Sequence, residues 1–163
     1  MPLLRLDPKS GAILEENEEM RFVPFEDIAD GIENGQKVAV AISVDTDVAD
    51  LVSVLSSLSA VSLDFPAFND GRAFSQASLL RERYAYDGII VARGDLLSDL
   101  AQFMLRCGIT HVAVEGAEAV QAEYSAALGS FSERYQSSVD GTETIPEKRL
   151  TQGSASNRSQ AAA

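Results

Sequence analysis

Apolar residues along this chain follow two rhythms. Val38 to Val44 is a near-continuous run rich in β-branched side chains, the pattern of a strand covered on both faces. Ala60 to Phe65, Ile89 to Ala92 and Val112 to Val114 repeat it. Between these runs, apolar side chains recur every three or four positions. One such stripe is Val48, Leu51, Val52, Leu55 and Leu58, and a second is Phe74, Ala77, Leu80 and Tyr84. A third is Leu97, Leu100, Met104 and Cys107, and a fourth is Val120, Tyr124, Leu128 and Phe131. That spacing predicts amphipathic helices. Thr46 or Asp47 can cap the first, and Gly108 fits the position just past the third. The fourth is expected from about Ala117 to Tyr135.

Four β-then-α units in succession predict an α/β fold over residues 37–136. Its core is a mainly parallel four-stranded sheet with flanking helices and right-handed crossovers. An open three-layer sandwich is the simplest closure, and a half-barrel completed by a second copy is the alternative. Residues 1–36 read as an N-terminal extension. Met1 to Leu6 is at most an edge strand, broken by Pro8, Ser10 and Gly11. Glu15, Glu16, Glu18 and Glu19 form an acidic run expected in a solvated loop. Phe22 to Phe25 holds Pro24, so it suits a sheet edge. Phe25, Ile28, Ala29 and Ile32 mark a short helix, stopped at Asn34-Gly35. Residues 137–163 lose the periodicity and read as a disordered tail.

Composition narrows the functional classes. The 163 residues are 45% hydrophobic and 23% charged, a globular balance. Cys107 is the single cysteine and His111 the single histidine, which excludes a disulfide framework within one chain, Cys-rich metal sites and His-pair metal sites. No apolar run approaches the roughly 20 residues of a membrane helix, and no secretory signal is visible. The expected setting is the cytoplasm. Thirteen basic residues against 25 acidic ones leave a net charge of −12. That balance argues against nucleic acid and anionic membranes as partners, and suits docking onto a basic protein face.

Ligands of parallel sheets sit beyond the carboxyl ends of the strands. Those ends carry Asp45 and Asp47, then Asp64 through Gln76, then Arg93, Gly94 and Asp95, then Glu115 and Gly116. Asp70-Gly71 is a turn, with Gly71 free to take positive φ. Arg72, Ser75, Gln76 and Arg81 follow. A guanidinium beside the free N–H groups of a helix start makes an anion seat, so a small oxyanion is the candidate ligand. The structural alternative is a loop stitched by an Asp70–Arg72 pair and a Ser75 cap. Asp45, Arg93, Asp95 and Glu115 would form the rim, and Asp45, Asp70, Asp95 and Glu115 can instead be read as a hard-cation cluster. Cys107 lies on the apolar stripe of its helix and suits a structural role. No Walker loop, GxGxxG or GxSxG string is present, so no cofactor is assigned.

Phe65-Pro66, Phe68-x-Asp70-Gly71-Arg72-x-x-Ser75-Gln76-Ala77 and Leu80-Arg81-Glu82-Arg83 resemble the signature of the bacterial domain-of-unknown-function family numbered nine hundred and thirty-four. The likeness continues through Gly88, Ala92, Gly94-Asp95, Leu97, Asp99 and Arg106-Cys107-Gly108. Ile89 to Val91, Ser98 and Leu100 depart from the family pattern, and two cationic positions are lost with them. The family is commonly encoded beside assimilatory sulfite reductase. The resemblance therefore implies an accessory protein of sulfur assimilation that binds a reductase of sulfite or sulfate reduction, or a small oxyanion. It leaves open an enzyme, labelled an oxidoreductase, with its site at the strand ends, and a purely non-catalytic interaction module.

Overall fold

A computed structural model describes residues 2–16, 20, 22–33, 38–67, 69–131, 133–139 and 141–151. Phe68, the Asn34-Gly35 stop, Glu18, Glu19 and residues 152–163 of the expected tail lie outside the described residues.

The fold is mixed α/β, and its sheet has seven strands rather than four. In chain order they are β1 (Pro2–Asp7), β2 (Gly11–Glu16), β3 (Phe22–Pro24), β4 (Val38–Ile42), β5 (Leu58–Phe65), β6 (Ile89–Gly94) and β7 (His111–Ala113). The helices are α1 (Ile28–Glu33), α2 (Arg72–Glu82), α3 (Ala101–Arg106) and α4 (Ala117–Leu128). The sheet order is β2-β1-β7-β6-β5-β4-β3. Strands β3 to β7 are parallel neighbours, and β1 joins β7 and β2 antiparallel.

The N-terminal residues are therefore built into the sheet. Pro8 to Ser10 turn a hairpin, with Asp7 Oδ1 accepting the amides of Lys9 and Ser10 at 2.8 Å each. Glu15 and Glu16 of the acidic run lie in β2. Ala12 and Leu14 alternate inward on β2, while Arg5 Nε donates to Glu15 at 2.6 Å. The expected helix over Val48 to Leu58 is replaced by short 3₁₀ turns at Val48–Leu51 and Leu55–Ser57. Val48, Val52 and Val54 with Ser53, Ser56 and Ser57 are weak helix formers, and tight turns bury Leu51 and Leu55 just as well. Helix α4 stops at Gly129, so Phe131 is exposed rather than inward.

Strands in consecutive order joined by right-handed crossovers put every connection on one face. The packing agrees. Val40, Ile42, Val61, Leu63, Ile90, Ala92 and Val112 share one core with Phe74, Leu80, Met104 and Tyr124 from the helices. The other face carries a small separate cluster of Leu3, Val91 and Ala113, against which Met20, Phe22 and Ile89 pack. The three-layer sandwich is thus replaced by one helical layer on a curled sheet.

The curl follows from chain reach. Strands β2 and β3 form opposite edges, so a flat sheet would hold them roughly 29 Å apart at about 4.8 Å per strand. Residues 17–21 are the only link, and the six steps from Glu16 to Phe22 reach roughly 20 Å at most. The edges must bend toward each other. This bend encloses the second face and explains why the small side chains Ala39, Ala60 and Ser62 are buried there.

The stretch expected to be a disordered tail also contains structure. Residues 145–151 are helical. Thr144 and Glu147 form a reciprocal cap, with the Thr144 amide and hydroxyl both 2.8 Å from Glu147 Oε2.

Candidate functional site

The strand ends bring three of the expected residues together. Asp70 stands just before α2, and its Oδ1 accepts the Arg72 amide at 3.2 Å. Arg72 Nη2 donates to Asp70 Oδ2 at 2.8 Å, and Nη1 donates to Asp45 Oδ1 at 2.6 Å. Arg72 thus spans the end of β4 and the start of α2. The hydrogen bonds from the Arg72 side chain and amide hold Asp70 below the usual carboxylate range. Asp70 and Asp45 reciprocally raise the Arg72 pKa. The anion seat inferred at the helix start is filled by two carboxylates of the chain itself. One cation between two anions leaves the group net negative.

Gly71 has φ −82° and ψ −1°, so it does not use the left-handed freedom expected of it. Ser75 is exposed and does not cap α2. Gln76 is buried and ties the helix to the β4 end, its Nε2 donating to the carbonyls of Ser43 and Thr46 at 2.9 Å each.

Arg81 lies at the far end of α2 from Arg72. Its guanidinium donates to the Gly108 carbonyl at 2.9–3.0 Å, to Gly88 at 2.9 Å and to Tyr86. It locks the ends of α2 and α3 to the start of β6. Gly108 has φ +91°, and a Cβ there would collide with Arg81 Cγ. Arg81 therefore serves packing, and burial pulls its pKa down. Cys107 beside it is buried, and that burial pushes its thiol up.

The rest of the rim is spread along the sheet. Asp95, whose amide bonds the Phe65 carbonyl at 2.8 Å, follows β6, and Glu115 follows β7. These strands lie two and three places from β4, roughly 10 and 14 Å at ordinary strand spacing. Among the described residues no group of three or more His, Cys, Asp or Glu side chains is placed to hold a metal ion. Arg93 pairs with Asp64 instead, Nε to Oδ1 at 3.1 Å, across the β5–β6 ladder. Asp64 belongs to the strand-end residues but not to the expected anion seat or its rim. The signal was its place in β5, where alternation puts it on the opposite face from Leu63 and Phe65.

The family comparison fits this anatomy. A model of the family described as "Bacterial protein of unknown function (DUF934)" matches residues 39–145. This chain belongs to the DUF934 family. No curated protein matches it. The span that matches DUF934 runs from β4 through α4, and β1 to β3 precede it. Within it, the motif residues around α2 divide between two structural tasks. Asp70, Arg72 and Gln76 fasten α2 to the end of β4, while Arg81, Gly88 and Gly108 fasten the opposite end of α2 to β6 and α3.

Proposed function

We propose that this protein is a non-catalytic accessory protein of sulfite or sulfate reduction, acting by docking its acidic strand-end rim onto a basic face of a reductase. One observation carries the docking reading. The arginine of the signature is neutralised by Asp45 and Asp70, and Asp45, at 80% side-chain exposure, presents charge to solvent. A rim of net negative charge in a chain of −12 attracts a cationic partner. The sulfur-assimilation context comes from the family resemblance.

Titrating the protein with an assimilatory sulfite reductase at low and high salt tests this. The complex should form at low salt and weaken steeply as salt rises. Replacing Asp45 with Lys should weaken it further. Absence of a complex at low salt would refute the docking reading.

A second reading, a small oxyanion at Arg72, draws on the 57% exposure of that side chain beside the start of α2. Sulfite there must displace one carboxylate. Asp45→Asn should then tighten binding in calorimetry, and Arg72→Ala should weaken it about tenfold or more. A silent titration of the wild type with millimolar sulfite, sulfate and phosphate would remove this reading.

A further inference from the structure

We infer that a cavity at the carboxyl ends of β3 to β6 binds a small zwitterion of the α-amino acid class. The cavity has a volume of about 290 Å³, and Phe22, Phe25, Glu26, Ala41, Asp64 and Arg93 line it. It occupies the place where parallel sheets bind ligands. It is small for a ligand pocket, the size of one compact metabolite and too small for a dinucleotide.

Three observations specify the ligand. Arg93 spends only its Nε on Asp64, and its two terminal nitrogens have no hydrogen-bond partner among the described residues. A guanidinium edge with open N–H groups matches a carboxylate in two-point contact. The lining also holds two carboxylates, Asp64 and Glu26, against that one cation. A simple oxyanion would meet a net-negative wall, whereas a zwitterion brings an ammonium that answers it. Phe22, Phe25 and Ala41 offer an apolar wall for a short side chain.

The test is calorimetric titration of the full chain with glycine, alanine, cysteine and methionine, at about 10 mM so that a Kd of about 1 mM is seen. Acetate, methylamine, sulfite and sulfate form the parallel arms. At least one α-amino acid should bind, with acetate and methylamine each weaker by about tenfold or more. Arg93→Gln and Asp64→Asn should each lower that affinity by a similar factor, with unchanged far-ultraviolet circular dichroism. Failure of every amino acid overturns the inference. So does acetate binding as tightly as the amino acids, or binding by sulfite or sulfate alone. The wild-type arms decide the matter even where a variant misfolds. The site does not involve Asp45 or Arg72, so its failure and the failure of reductase docking are separate results.

Discussion

Two arginines on one helix meet opposite fates, and the contrast sets what substitution does at each. Arg72 is an exposed guanidinium between the exposed Asp45 and the largely covered Asp70, and because the guanidinium itself stays in solvent its loss should barely move the folded-state stability. Arg81 answers three backbone carbonyls in a partly buried niche. Removing it leaves those acceptors without their charged donor, and Arg81→Ala should cost about 1.5–3 kcal/mol in urea unfolding. The glycines beside the two arginines behave in parallel. At Gly71 nothing stands within 4 Å of an added Cβ, and φ is already negative. Gly71→Ala should stay within about 0.5 kcal/mol of wild type, since a less flexible unfolded chain offsets a poorer cap. Gly108→Ala combines left-handed backbone with a collision against Arg81, and should cost about 2 kcal/mol or more. A pair of melts in which Gly71→Ala is the more harmful change would refute the assignment of roles.

Elements were legible in the sequence to the extent that local chemistry decided them. Strands β4 to β7 announced themselves because buried parallel strands need continuous apolar runs, as in Val38 to Ile42. Strand β2 did not, because Glu15 and Glu16 masked the alternation of Ala12 and Leu14, and its charge is answered by Arg5 on a neighbouring strand. The stripe from Val48 to Leu58 suggested a helix because 3₁₀ turns nearly share its spacing. The candidate site divides in the same way. Asp70 and Arg72 are two residues apart and could be paired by inspection, and Asp45 could be placed at the same rim. Asp64 and Arg93 meet only through the β5–β6 register, which no local pattern encodes. The helical segment 145–151 was hidden by its polar surroundings, although Thr144 and Glu147 have the spacing of a capping box. Thr144→Ala should cost that segment about 1 kcal/mol. Hydrogen exchange in 145–151 should quicken while α2 keeps its protection. Equal protection in both proteins would mean that the cap does not hold the segment.

At the scale of the whole molecule, the curled sheet makes one histidine a determinant of pH stability. His111 sits on β7 at 5% exposure, on the enclosed face. Its Nδ1 lies 2.8 Å from the Thr110 hydroxyl and its Nε2 lies 3.4 Å from Glu15 Oε2, two strands away. A carboxylate only accepts, so a neutral ring donates Nε2–H to Glu15 and accepts the Thr110 hydroxyl at Nδ1. Burial lowers the His111 pKa, Glu15 pulls it back up, and Arg5 on the strand between them pushes it down. Since burial holds the folded ring below the ordinary histidine value of 6.5, the unfolded chain binds more protons as pH falls through 6.5. Stability is therefore complete above that pH and declines below it, levelling off once the folded ring also protonates. Two other contributions act in other windows. The pKa values of Asp7, Asp70 and Glu147 are lowered from values of 3.8 to 4.5, so their loss comes at more acid pH. The charge of −12 starts to relax only as carboxylates protonate, toward the isoelectric point near 4.4. Between pH 7.5 and about 5.5 the histidine dominates. Urea unfolding across that range should show wild-type stability falling, and His111→Gln should flatten the curve while starting lower. A variant that retains the wild-type slope would place the titrating group elsewhere.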